Sequence, residues 1–199
     1  MKKVVLFFIL NQFADWEAAY LSSALRSLGK DRYIVKTVSL TKDKVQSIGG
    51  FQILPDYDIS SMPEEYEALI LIGGMTWRET DTTQIRKMVE KASEQERVIG
   101  GICDASAFLG TTGILNKVNH TSNELEEIKG WAKDVYTGES KYIRKQAVRD
   151  GRIVTANGTA SLEFSREVLL ALEAAPENEI MDWYRFHKLG YYEASVPDM

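Results

Sequence analysis

Several things that usually betray a protein's class are scarce in this 199-residue chain. It holds a single cysteine, so no internal disulfide can form. Lys and Arg number 24 against 29 Asp and Glu, a net charge of -5, so the basic footprint of a nucleic-acid binder is missing. No apolar run approaches the roughly 20 residues that cross a bilayer. The longest, residues 4–10 after Met1-Lys2-Lys3, is short, and no small-residue cleavage site follows it. It reads as a strand rather than a secretory leader. Two histidines and one cysteine make a structural zinc site implausible. No phosphate loop is present either, because Gly73-Gly74 is not followed by Gly-Lys-Ser/Thr. Internal repeats and low-complexity stretches are also absent. These absences leave a soluble, cytoplasmic protein with no expected cofactor, metal, nucleic-acid or membrane partner.

The composition, 44% hydrophobic and 27% charged, is that of an ordinary globular domain. The length suits one α/β domain with a substantial core and is short for two. Residues 4–10, 68–72 and 98–102 are continuous apolar runs, the mark of strands buried on both faces of a parallel sheet. Residues 33–38 form a further strand. Between the strands lie helical patterns over 15–28, 82–94 and 104–112, and a long one over 159–174 that Thr159 is placed to cap. Hairpins are expected over 45–54, turning on Gly49-Gly50, and over 147–156, turning on Asp150-Gly151. This alternation predicts an α/β fold, a doubly wound and mainly parallel sheet with helices on both faces. Residues 1–175 make the domain. Residues 176–199, dense in aromatics, form a helical extension packed on it or a subunit contact.

In such a sheet a ligand sits beyond the carboxyl ends of the strands. Cys103 lies there. A buried strand runs into Gly100-Gly101-Ile102-Cys103-Asp104-Ala105, and a helix follows. A lone cysteine is ordinarily a small buried hydrophobe. Here the strand, sharp turn and helix match a nucleophile elbow, and the helix N-terminus favours thiolate. The amides of Asp104 and Ala105 are placed to receive an oxyanion. Gly73-Gly74, ending another strand, reads either as a plain turn or as the opposite wall of that pocket. Glu17 shares a helical face with Leu21, Ala24 and Leu28, which puts its carboxyl inward at the crest. Desolvation there raises its pKa, so a protonated Glu17 can hydrogen-bond the sulfur or shuttle a proton. His120 has two readings, an exposed loop histidine or a base that returns to the crest. His187, in the aromatic tail, reads as structural.

Glu17, Gly73-Gly74, the elbow around Cys103 and Asn157-Gly158-Thr159 together resemble the PfpI-type intracellular protease/amidase family. That family shares its superfamily with parkinsonism-associated deglycases and class I glutamine amidotransferase domains. The resemblance implies a flavodoxin-like fold, a reactive cysteine supported by a glutamate, and a homodimer. It implies a cysteine-dependent hydrolase acting on a small molecule or peptide; glyoxalase- or deglycase-like chemistry and a non-hydrolytic redox role are the alternatives. The phase of Thr121-Ser122 puts Asn123, not His120, at the family's histidine position. Asparagine can orient or donate but cannot act as a base. Asp104 then becomes a candidate partner for Cys103 within its own turn.

Overall fold

The computed structural model describes residues 2–197; the first residue and the last two of the aromatic tail lie outside the described residues. Seven strands form one sheet. In chain order they are β1 (Lys3–Phe8), β2 (Tyr33–Ser39), β5 (Tyr57–Asp58), β6 (Ala68–Leu71), β7 (Val98–Ile102), β8 (Ala147–Asp150) and β9 (Ile153–Ala156). Their spatial order is β5-β2-β1-β6-β7-β9-β8, and every pairing is parallel except β8 with β9 at one edge. From β1 the chain goes first to β2 on one side and later to β6 on the other. That reversal opens a crevice at the carboxyl ends of β1 and β6. A separate two-stranded hairpin, β3 (Val45–Gln46) and β4 (Gln52–Ile53), stands beside it.

The runs that read as doubly buried strands are buried. All residues of β6 and β7 are shielded, and along β1 the side chains alternate between two cores. Val5 and Phe7 join the face covered by α1 (Asp15–Ser27), α5 (Ser161–Ala171) and α6 (Glu177–Leu189). Leu6 and Phe8 join the face covered by α2 (Thr83–Glu94), α3 (Asp104–Thr111) and α4 (Leu125–Ala132). Gly100 in β7 allows this close approach, since a Cβ there would meet Phe164 Cζ at 2.9 Å. Among the described residues no helix is long and apolar enough to cross a membrane.

Some local expectations change. Thr159 does not cap α5, which starts at Ser161 after Ala160; its hydroxyl instead donates to Asn157 Oδ1 at 2.7 Å. Of the two glycines in the 45–54 turn, only Gly50 takes a positive φ, +91°. Helix α4 and the short strand β5 are additional elements. In the extension, Ile180 and Trp183 of α6 are buried in the first core, while Tyr191 and Tyr192 stay exposed.

The turn after β6 is pinned by Trp77. Its indole is fully buried, lies 5.8 Å from the Phe8 ring and 5.1 Å from Phe108, and donates to Ile72 O at 2.9 Å. Trp77→Ala should therefore cost about 3–5 kcal/mol in equilibrium denaturant unfolding. A loss below about 1 kcal/mol would mean that this turn does not depend on the anchor.

Candidate active site

Cys103 stands between the last residue of β7 and the first of α3 with φ +57° and ψ -132°, a conformation that few side-chain-bearing residues adopt. Its backbone is tied on both sides. The amide donates to Ala156 O at 3.0 Å, and the carbonyl accepts from the Ser106 amide at 3.0 Å and the Ser106 hydroxyl at 2.6 Å. The turn leaves no room for side chains nearby. A Cβ on Gly73 would lie 2.6 Å from Cys103 Cβ and 2.7 Å from Glu17 Oε2. A Cβ on Gly158 would lie 2.9 Å from the sulfur. Two glycines thus flank the thiol because only bare backbone fits there.

Glu17 is fully buried in the first turn of α1, on the same inward face as Leu21 and Ala24. Its Oε2 accepts from the Gly73 amide at 2.7 Å, while Oε1 is buried beside the Cys103 thiol with no hydrogen-bond partner of its own among the described residues. Burial raises the Glu17 pKa from an ordinary 4.5 to about 7, against the lowering effect of the Gly73 amide and the thiol. Burial also raises the Cys103 pKa, and the Glu17 anion adds to that; the Asn123 amide and the Asp104 N–H act to lower it. The sequence reading of a thiol held acidic by its helix N-terminus is corrected here. Desolvation is the largest influence on the sulfur, and the two acids together keep a proton through neutral pH.

Asn123 bridges the site. Its Nδ2 donates to Cys103 Sγ at 3.4 Å and its Oδ1 accepts from the Gly158 amide at 2.9 Å. The Gly158 carbonyl accepts in turn from the Trp16 indole at 3.0 Å. Next to Asn123 opens a cavity of about 370 Å³, lined by polar groups that include Ser122, Tyr142, Arg144, Lys145 and Gln146.

Three candidates are placed differently from their reading. His120 is neither exposed nor at the crest. It is fully buried, with Nδ1 2.8 Å from Val118 O and Nε2 2.6 Å from the Tyr136 hydroxyl. A carbonyl only accepts, so Nδ1 carries the hydrogen and Nε2 receives one from Tyr136. Burial lowers its pKa, and with both nitrogens committed it holds the fold rather than moving protons. Asp104 does not bond the sulfur through its carboxylate, which is gripped by Arg78 Nε at 3.2 Å and Nη2 at 3.1 Å. Gly73 is no oxyanion donor, because its amide is spent on Glu17. Gly74 instead meets Phe13, and a Cβ there would lie 2.4 Å from Gln12 O. The amides of Asp104 and Ala105 open α3, where the first helical N–H groups have no partner within the helix.

Sequence reasoning missed Trp16, Arg78 and Gly158. Gly158 carried a signal, since it lies in the Asn157–Thr159 segment that already stood out; Trp16 and Arg78 carried none. Among the described residues no cluster of three or more His, Cys, Asp or Glu is placed to hold a metal.

The comparisons with known proteins agree with this architecture. The family model described as DJ-1/PfpI matches residues 2–171. The uncharacterized protease YdeA of Bacillus subtilis (strain 168) is 38% identical over 192 residues, covering 96% of this chain and 94% of its own. The deglycase PfpI of Pyrococcus furiosus is 25% identical over 162 residues, covering 79% of this chain and 92% of its own. Among solved structures, the DJ-1 superfamily protein Atu0886 of Agrobacterium tumefaciens superposes with a TM-score of 0.83 at 32% identity, covering 95% of this chain and 99% of that one. A thiJ/pfpI family protein of Bacillus anthracis superposes with a TM-score of 0.86 at 33% identity, covering 94% and 91%. With the family model spanning most of its length and a relative of this identity matching nearly end to end, the chain belongs to the DJ-1/PfpI family.

Proposed function

We propose that the protein is a cysteine-dependent hydrolase of small amides or peptides, working in the cytoplasm, with Cys103 as nucleophile and Glu17 as its proton partner. The observation that carries this reading is the strained Cys103, set against a carboxyl whose free oxygen has no other partner among the described residues and whose pKa burial brings to about 7. The thiol gives its proton to Glu17 as the sulfur attacks the carbonyl carbon. The carbonyl oxygen, now negative, accepts from the amides of Asp104 and Ala105. The C–N bond then breaks, the nitrogen leaves with the proton held by Glu17, and water hydrolyses the thioester. Asn123, donating to Sγ, steadies the thiolate without competing for its proton. The polar cavity beside Asn123, with Arg144 and Lys145 on its wall, suits a small polar substrate.

A second reading has its own support. His120 is spent on Val118 and Tyr136, so no imidazole serves Cys103, and one carboxyl must do all the proton work. Addition of the thiolate to a 2-oxoaldehyde asks less of such a site, since no amine has to leave; deglycase appears in the name of the Pyrococcus furiosus relative. Assays of the purified protein against amide and 2-oxoaldehyde panels separate the two. Cys103→Ala should abolish whichever activity is found, on the order of 10³-fold or more. Turnover by Cys103→Ala equal to that of the wild type would end both readings.

The buried carboxyl also leaves a mark on stability. Below pH 4.5 Glu17 carries its proton folded and unfolded alike, and its burial is cheap. Between 4.5 and about 7 only the folded form keeps the proton, and above that the fold must hold a charge. The wild type should lose about 3 kcal/mol across this window relative to Glu17→Gln, whose amide never ionises. Urea unfolding of both proteins at pH 5 and pH 7.5 measures it, and a difference that does not grow with pH refutes the assignment.

Tyr191, Tyr192 and the hairpin residues Phe51 and Leu54 stay exposed, and exposed aromatic and aliphatic groups of this kind favour a homodimer. Sedimentation should find dimer at micromolar concentration, and monomer alone would exclude it.

A further inference from the structure

Arg78 occupies a position that the proposed chemistry does not use. It follows the buried Trp77 in the turn after β6, so its backbone is fixed by the core. Its guanidinium lies 5.2 Å from the Trp131 ring of α4 and reaches Asp104 with two hydrogen bonds, from Nε to Oδ2 at 3.2 Å and from Nη2 to Oδ1 at 3.1 Å. Nη2 also meets Glu127 Oε2 at 3.2 Å. The planar fork matches both carboxylate oxygens, a fit lysine cannot reproduce.

Asp104 is the residue after Cys103 and the first of α3. Its N–H acts on the sulfur favourably, but its carboxylate carries a negative charge next to a site that must hold a thiolate. The Asp104 charge raises the pKa of both Cys103 and Glu17. A carboxylate free to rotate over the start of the helix would also compete for the N–H groups that the sulfur and an oxyanion need.

We propose that Arg78 is a positioning residue for the Cys103 thiolate: by gripping Asp104 in a bidentate pair it cancels that carboxylate's charge and holds it off the amides at the start of α3. Trp131 and Glu127 hold the guanidinium in the orientation the pair needs. Arg78 makes no hydrogen bond to the sulfur. It acts chiefly through Asp104, its own charge adding only a smaller direct pull on the sulfur, and its effect is on the acidity and reactivity of the thiol, whatever carbonyl compound Cys103 meets.

The inference rests on Cys103 being a reactive thiol, but not on hydrolysis, and its test needs no substrate. The rate of iodoacetamide alkylation of Cys103 is followed against pH for the wild type, Arg78→Met, Arg78→Lys, Asp104→Asn and the double variants Arg78→Met/Asp104→Asn and Arg78→Lys/Asp104→Asn, with circular dichroism as the check on folding. Arg78→Met should move the inflection up by about half a unit to one unit, and slow alkylation at neutral pH by about threefold to tenfold, the size expected for a partly screened neighbouring charge. Arg78→Lys keeps the charge but loses the fork, so it should move the inflection the same way and less far. In the Asp104→Asn background the change at Arg78 should have less than half its effect. An Arg78→Met inflection at the wild-type pH overturns the proposal. So does an equal shift in both backgrounds, because Arg78 would then act on the sulfur directly or through the fold. Should Arg78→Met fail to fold, the same judgement falls on Arg78→Lys in the two backgrounds. A wild-type thiol that resists iodoacetamide at every pH would refute the reactive-cysteine reading itself, a result distinct from either of these.

Discussion

A buried carboxyl and a half-buried thiol set against each other at the carboxyl edge of the sheet govern everything near them. Each acid is deprived of water, and each anion would raise the cost of the other, so the pair keeps a proton where two separate groups would have lost or retained theirs independently. Such a pair is costly to bury and is useful only if the groups touch. The structure meets that condition by removing side chains. Gly73 brings its bare backbone against both Glu17 and Cys103, and Gly158 closes over the sulfur from the far side. The strained Cys103 backbone belongs to the same requirement, since it turns the thiol toward α1 while its amide and carbonyl stay bonded to β9 and α3.

These constraints reach well into the fold. Glu17 is fixed because α1 lays Leu21, Ala24 and Leu25 into the core below it, so its depth follows from helix packing rather than from a flexible side chain. The sheet order puts the ends of β1, β6 and β7 side by side, and each delivers one part: the carboxyl, the Gly73 amide and the sulfur. Asn123 and Gly158 then connect the opposite wall by one hydrogen bond, which locks the amide plane of Asn123 with its N–H side to the sulfur. The tautomer problem that a histidine would bring does not arise for an amide.

Much of this was legible in the residues alone, and the reason is periodicity. The three apolar runs could be nothing but strands buried on both faces, and the alternation with amphipathic helices allowed few arrangements other than a doubly wound sheet. Glu17 declared itself by phase, a carboxylate standing in an apolar stripe. What escaped was set by tertiary contact. Helix α4 hides behind Glu126, Glu127, Lys129 and Gly130, a polar stretch whose two buried residues, Ile128 and Ala132, make a faint stripe. His120 sits among polar neighbours, which suggests solvent; the partners that bury it, Tyr136 and Tyr142, come 16 and 22 residues later. Trp16 and Arg78 look like ordinary surface residues until the fold brings Gly158 to one and Asp104 to the other.

The thiol's acidity was misjudged for a related reason. A helix N-terminus is visible in a sequence, because strand, turn and helix can be read in order. Depth is not, because it depends on what the rest of the chain places overhead. Burial and the local donors act on Cys103 in opposite directions, and at this site burial is the larger influence. A helix end contributes about half a unit charge, whereas even partial removal of water from an anion forfeits a large solvation energy. The groups that offset burial are local and polar, the Asp104 amide and the Asn123 amide, whereas the Glu17 anion adds to the cost of the thiolate and serves instead to take its proton. A half-buried cysteine in that setting need not be acidic at rest to react; it needs an acceptor within reach when the carbonyl arrives, and the unpartnered Glu17 oxygen is held beside it.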